Sequence, residues 1–234
     1  MFNHTFPTGT LWNTDALDLM QQMPDESVDM IFTDPPYRVI SGGTEHSKAR
    51  GQFKMFANAS ASGDGKIFKH NDVAIADYLP HFYRLLKPST HCYVMTNNIN
   101  LRELLNVGES VGFHFHNLLR WDKPNVNANR WYMKDCEYVV FFAKKPAKTI
   151  NMAGSKQGFK CALDRSIAKS HPTEKPVDLV RHYIENSTMP DNLVFDPFIG
   201  SGATALAAIQ SGRRWIGCEI DPQYWLASML RLSA

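Results

Sequence analysis

The chain has 234 residues, 44% hydrophobic and 21% charged, with a formal net charge of +2. This composition excludes disordered, collagenous and coiled-coil classes, and the length suits one domain, 1–234, with a full core. No apolar run approaches the roughly 18 residues of a membrane span, and the N-terminal MFNHTFPTGT has neither the basic nor the apolar region of a signal peptide.

Taken in order, short apolar strands alternate with amphipathic helices. Leu11-Trp12 is a short strand. Asp15 caps a helix carrying Leu17, Met20 and Met23, and Val28 to Thr33 is a buried strand. The Gly/Ser/Lys-rich stretch from about Arg38 to His70 has no clear period and reads as a long mobile loop. Asp72 caps a helix with Ile75, Leu79, Phe82 and Leu86 on one face, interrupted by Pro80. Tyr93 to Thr96 is a strand, Leu101 to Val111 a helix, and His116 to Trp121 and Tyr138 to Phe142 are strands. Residues 144–170 are basic and irregular. Pro176 sits where the first position of a helix belongs, with Val180, Tyr183 and Ile184 on its apolar face. A strand at Leu193 to Phe195, a helix from about Gly202, a strand at Trp215 to Cys218 and a helix opened by Asp221-Pro222 complete the chain. This alternation predicts an α/β fold with a mostly parallel sheet covered on both faces.

The four cysteines, Cys92, Cys136, Cys161 and Cys218, form no C-x-x-C pair. They read as reduced packing residues of a cytoplasmic protein; no disulfide framework or metal site is expected. The charge is unevenly spread. Residues 38–70 hold six Lys or Arg against Glu45 and Asp64, and residues 144–169 hold seven against Asp164 alone. Two basic segments on an otherwise acidic chain predict contact with a polyanion.

Three segments carry chemistry. Asp196-Pro197-Phe198-Ile199-Gly200-Ser201-Gly202 follows a strand and opens a helix, where glycines permit a tight turn and close approach to a ligand. Glu219, at the end of the next strand, suits the two hydroxyls of a ribose. The chain has neither G-x-G-x-x-G nor G-x-x-x-x-G-K-[ST], so a nucleoside without phosphates fits better than a nucleotide. Asp34-Pro35-Pro36-Tyr37 ends the strand VDMIFT. Its prolines remove two N–H donors, leaving carbonyl oxygens and the Asp34 carboxylate as acceptors beside the flat ring of Tyr37. Such a turn either takes the two hydrogens of an –NH₂ group or is merely rigid. In His171-Pro172-Thr173-Glu174-Lys175-Pro176, Lys175 and the N-terminus of the next helix suit a carboxylate.

Together these segments resemble the amino-methyltransferases of DNA that use S-adenosylmethionine, in which D-P-P-Y or S-P-P-Y is the catalytic motif and F-x-G-x-G the cofactor motif. The order D-P-P-Y, H-P-T-E-K-P, D-P-F-I-G-S-G resembles that of the β class, and W-D-K-P at 121–124 and E-Y-V-V-F-F match as well. The resemblance implies a Rossmann-like, circularly permuted methyltransferase fold: a seven-stranded, mostly parallel sheet with one antiparallel strand. It places the Val28 and Leu193 strands side by side at the topological switch point. It implies that Asp34, Pro35, Pro36 and Tyr37 are catalytic, accepting the amine hydrogens of a base flipped out of the duplex and stacking on its ring. It implies that Asp196, Phe198, Gly200, Ser201, Gly202 and Thr204 line the cofactor. Glu219 would take its ribose, Ile220, Asp15 and Ala16 its adenine, and Thr173 and Lys175 its methionine carboxylate. Thr14 stands where the family has glycine. The backbone of DNA would be held by Lys48, Arg50 and Lys54 in one basic segment and by Lys144, Lys145, Lys148, Lys156 and Lys160 in the other.

Methylation of cytosine C5 requires a cysteine after proline, and none of the four cysteines follows one. Within the resemblance, the aspartate of D-P-P-Y favours adenine N6 over cytosine N4. The region normally holding target recognition spans only about 143–170 here. It predicts a short or relaxed target, or recognition shared with the 38–70 loop or a second subunit. A homodimer, a cognate restriction endonuclease, an RNA adenine substrate and a non-catalytic nucleic-acid-binding role stay open at this level.

Overall fold

The computed structural model describes residues 1–36, 73–127, 132–162 and 174–233. The expected 38–70 loop, the Asp72 cap, Tyr37, Thr173, Lys48, Arg50 and Lys54 lie outside the described residues.

One sheet of nine strands organises the molecule. The strands are β1 (Phe2–Phe6), β2 (Gly9–Asn13), β3 (Val28–Thr33), β4 (Leu86–Thr96), β5 (His114–Asn127), β6 (Lys134–Ala143), β7 (Gly158–Lys160), β8 (Leu193–Asp196) and β9 (Arg214–Glu219). The helices are α1 (Ala16–Gln22), α2 (Ile75–Leu85), α3 (Leu101–Ser110), α4 (Val177–Ser187), α5 (Ala203–Gln210) and α6 (Pro222–Leu232). The strand order is β1-β2-β9-β8-β3-β4-β6-β5-β7. Its seven inner strands are parallel except β6, which runs against both β4 and β5. That is the expected sheet with a short strand added at each edge. β1 pairs antiparallel with β2, and β7 pairs parallel with β5. Neither was legible. β1 is mostly exposed along its length, and β7 is three residues long within a stretch read as irregular.

The continuous apolar runs of the central strands follow from burial on both faces. Cys92 and Val94 of β4 face one core with α1, α2 and α3, whereas Tyr93 and Met95 face the other with α4, α5 and α6. The sequence placed Leu86 on the α2 face, but the helix ends at Leu85 and Leu86 opens β4. Pro176 is the N-cap of α4 rather than its first helical residue. Asp15 does cap α1, its Oδ1 accepting from Leu17 N at 2.7 Å. Of the face expected on α1, only Met20 is fully buried; Leu19 and Ala16 complete it.

Gly217 of β9 has a packing role that its surroundings reveal. A Cβ there would lie 2.1 Å from Ile199 Cδ1, and Ile199 is itself buried and bonded through its N–H to Cys218 O at 3.0 Å. Gly217→Ala therefore displaces the turn after β8. A loss of about 1–3 kcal/mol in unfolding free energy is expected, read by denaturant titration.

Candidate active site

β3 and β8 are neighbours, with Met30 opposite Val194 and Ile31 opposite Phe195. From this pair the sheet grows in opposite directions, β4 beyond β3 and β9 beyond β8. The turns leaving the two strands therefore diverge and open a crevice, as at other switch points of parallel sheets. It holds an open cavity of about 60 Å³, and its lining includes Asp34, Lys175, Asp196, Phe198, Ser201 and Thr204. Asp34 and Asp196 are thus brought together across 162 residues of chain. A direct bond fastens their turns: Thr33 Oγ1 donates to Asp196 Oδ1 at 2.7 Å.

Asp196 braces its own loop. Besides Thr33 it accepts from Phe198 N at 3.1 Å, and its Oδ2 accepts from Thr204 Oγ1 at 2.5 Å. Burial pushes its carboxyl up to about 6 against these three donors. Gly200 and Gly202 adopt φ of 49° and 82°, values that side chains disfavour, so the turn needs glycine at both places. α6 holds this loop from outside. Ser228 Oγ donates to Gly200 O, and Arg231 Nη1 donates to Ser201 O at 2.9 Å. Arg231 also pairs with Glu174, both side chains being nearly buried. The segment before α4, the glycine turn and α6 are thereby locked together.

Asp34 sits at the end of β3 within a row of alternating charges. Lys175 Nζ lies 2.7 Å from Asp34 Oδ2 and 3.2 Å from Glu137 Oε2. Glu137 Oε1 in turn pairs with Lys123 of β5. Asp34 Oδ1 is buried and accepts no hydrogen bond among the described residues. Burial raises the Asp34 carboxyl above its ordinary range, although Lys175 pulls the other way. A buried acceptor without a donor is costly unless something arrives to use it.

Beyond the glycine turn, β2 and β9 pair in parallel; Asp15, Ala16, Glu219 and Ile220 are not among the residues that line this cavity. Asn13 pairs with Glu219 across the ladder, and its amide donates to Glu219 O at 2.8 Å and Ile220 O at 3.2 Å. Asp15 and Ala16 follow Asn13 by two and three residues, at the end of the sheet where β9 leads into Ile220. Ile220 is 36% exposed, and the Asp15 carboxylate also serves as the α1 cap. Glu219 Oε1 accepts from Asp221 N at 2.8 Å, and burial pushes its carboxyl up to about 7.

The basic segment after β6 is divided by the sheet. β6 pairs Tyr138 with Thr96 at the crevice end and Ala143 with His91 at the opposite end. The chain beyond Ala143 therefore leaves the sheet about 17 Å of strand away from the crevice. Lys144 corrects the sequence expectation: it is 7% exposed, donates to Leu86 O at 2.7 Å, pairs with Glu26 at 3.2 Å and lies over the Tyr83 ring. Its charge and donors are spent internally, so it is not a surface contact for DNA. Lys145 and Lys148 are exposed but extend from that same distal end. Lys156 and Lys160 are exposed too, and Lys160 pairs with Asp122 near the crevice end of β5. Sequence reasoning overlooked Glu137, Lys123, Arg231, Asn13 and Thr33. The only signal was a polar residue at the start of an apolar strand and a lysine in W-D-K-P; the contacts need cross-strand register.

Comparison with known proteins agrees with this fold. The family model described as DNA methylase (N6_N4_Mtase) matches residues 28–229. The chain belongs to this DNA methylase family. The methylase is 31% identical over 223 residues to putative methylase YubD of Escherichia coli strain K12, covering 94% of this chain and 88% of that protein. It is 26% identical over 238 residues to the Type II methyltransferase M2.MboI of Moraxella bovis, covering 92% and 84%. Among solved structures it resembles M1.HpyAVI in complex with SAM (TM-score 0.70, 24% identity, 95% of this chain and 98% of that one). It also resembles the cytosine-N4-specific PvuII DNA methyltransferase (TM-score 0.72, 22% identity, 97% and 87%). These likenesses support the methyltransferase fold. Among the described residues, no helix is long and apolar enough to cross a membrane.

Proposed function

We propose that the methylase transfers a methyl group from S-adenosylmethionine to the exocyclic N6 amine of adenine in DNA. The observation that carries this reading is the buried, unpartnered Oδ1 of Asp34 on the wall of a crevice at the switch point. The residues fit the donor. Lys175 suits its carboxylate, the turn at Phe198–Gly202 and Thr204 suit its methionine end, and Glu219 suits the ribose beside Ile220, Asp15 and Ala16. Thr173 joins Lys175 in this assignment. When bound, the donor supplies a methyl group on a sulfonium sulfur, whose S–C bond breaks as the N–C bond forms.

The chain's own residues make the amine reactive. The adenine amine is a poor nucleophile because its lone pair is delocalised into the ring. Asp34 Oδ1 and the Pro35 carbonyl accept its two hydrogens, which drives the nitrogen toward sp³ and frees the pair. Placed acceptors and orientation supply most of the acceleration. The base is reached by flipping it from the duplex, with Tyr37 stacking on it and Pro36 holding the turn. Exposed lysines, among them Lys156 and Lys160, contact the backbone and offset the cost of unstacking. Lys48, Arg50 and Lys54 remain in the same proposal as further backbone contacts, whereas Lys145 and Lys148, which leave the sheet at its distal end, do not. Likeness to Type II methyltransferases supports a cognate restriction endonuclease as counterpart, and a cytoplasmic homodimer completes the reading.

The decisive experiment is transfer of labelled methyl to DNA and then identification of the modified nucleoside. N6-methyladenine is expected; N4-methylcytosine, or label found only in RNA, overturns the assigned target. Donor binding should also depend on pH. The ionised Glu219 carboxylate accepts ribose hydroxyl hydrogens through both oxygens, and the protonated form accepts fewer and more weakly. With this carboxyl pushed up to about 7, affinity is full above that pH and falls as pH drops through it. Calorimetric titration from pH 8 to 6 should show a loss approaching about tenfold per unit below the midpoint, and Glu219→Gln should flatten it.

A further inference from the structure

Glu137 opens the E-Y-V-V-F-F segment, in which the sequence marks no site residue, yet it stands one lysine away from the base acceptor. It lies in β6, opposite Trp121 of β5, and enters the site through the antiparallel strand. Its two oxygens are divided between two lysines, Oε2 on Lys175 at 3.2 Å and Oε1 on Lys123. Lys123 also lies over the Trp121 ring, 5.3 Å from its centroid, which fixes where its ammonium can sit. Lys175 is 11% exposed and Glu137 26% exposed, so water screens this row only weakly.

Resting on the methyl-transfer reading above, we propose that Glu137 is a positioning residue for the reaction. It shares the Lys175 ammonium with Asp34, so that Asp34 stays ionised without losing its strength as an acceptor for the amine hydrogens.

The argument balances two failures. A buried carboxylate with no cation takes up a proton and then donates where it must accept. A buried carboxylate that owns a lysine outright is ionised, but much of its charge is neutralised. A second carboxylate on the far side of that lysine gives an intermediate condition. Lys123 then limits how strongly Glu137 can pull. Among the described residues, the charged and titratable groups facing Asp34 are Lys175 before α4, Glu137 on β6, Lys123 on β5, Asp196 on β8 and Tyr78 on α2. Glu137 acts to raise the Asp34 carboxyl, and Lys175 and Lys123 act to lower it. Glu137 itself is held below the usual carboxylate range: burial raises it, and Lys175 with Lys123 outweighs burial.

Glu137 and Lys123 therefore act on Asp34 with opposite signs, and the loss of kcat at unchanged donor KM is what separates positioning from mere packing. The test is the pH dependence of kcat for methyl transfer to DNA by the full chain, for the wild type, Glu137→Gln, Glu137→Asp and Lys123→Gln. Glu137→Gln should lower kcat at pH 7.5 by about 10- to 100-fold and move the acid limb to lower pH. Lys123→Gln should move that limb to higher pH, and Glu137→Asp should recover part of the lost kcat. KM for S-adenosylmethionine should stay within about threefold in Glu137→Gln. An unaltered kcat and profile in Glu137→Gln, limbs that move the same way in both variants, or a loss carried wholly by KM for the donor overturns the proposal. If Glu137→Gln does not fold, the direction of the Lys123→Gln limb decides alone. A wild-type chain that methylates no nucleic acid overturns the functional reading itself, a separate result.

Discussion

Asp34→Ala should lower methyl transfer by about a thousandfold while leaving donor affinity within a few-fold of the wild type. The substitution removes the unpartnered Oδ1 from the crevice, and with it the acceptor that makes the amine nucleophilic. Apart from the Lys175 pair with Asp34, the donor side of the crevice has its own bonds. Asp196 keeps its bonds to Thr33, Thr204 and the Phe198 N–H. Lys175 keeps Glu137 as a partner at 3.2 Å, so it is not left as an isolated buried charge. Single-turnover transfer of labelled methyl, paired with equilibrium donor binding, separates the two effects. Transfer within tenfold of the wild type would refute the mechanism, whereas lost donor binding would mean that Asp34 belongs to the donor subsite.

The second large effect concerns stability. Arg231→Ala should cost about 3–5 kcal/mol, because it strands the nearly buried Glu174 and withdraws the donor to Ser201 O. The cost is a removal cost: the pair formed in place of two hydrophobic residues would add little on its own. Thermal unfolding of Arg231→Ala should begin at least about 6 °C earlier, given the few degrees that each kcal/mol shifts a chain of this size. Donor binding should weaken as well, since the glycine turn loses its outer support. Arg231→Lys retains a charge but not the forked geometry, and should fall between the two. An Arg231→Ala chain as stable as the wild type would show that α6 does not brace the turn.

The sequence disclosed whatever its local chemistry determines. A proline pair after an apolar run marks the Asp34 turn, and glycines between a strand and a helix mark the turn at Gly200. Both are visible within a few residues. The pairing that makes the site was less accessible. Glu137 is an isolated acid ahead of Val139–Ala143 until antiparallel register sets it opposite Trp121, and Arg231 is an ordinary surface-type residue of a terminal helix until α6 is docked. Lys144 was misread for the same reason. Counted along the chain it opens a basic run, but β6 descends away from the crevice and delivers it to the buried far end beside Glu26. Secondary structure shows a similar limit. Leu86 fits the apolar period of α2, yet Leu86 is extended backbone and the first residue of β4.

The first inner strand and the last one lie side by side, Gly9 against Trp215 and Asn13 against Glu219. The molecule is therefore nearly a ring in its connectivity, and the place where the ring is cut has no bearing on which turns face each other across β3 and β8. A chain begun in another loop, with its first and last elements linked, would assemble the same reaction chamber from the same two neighbours. Adjacency in the sheet, and not order along the polypeptide, is what the chemistry requires.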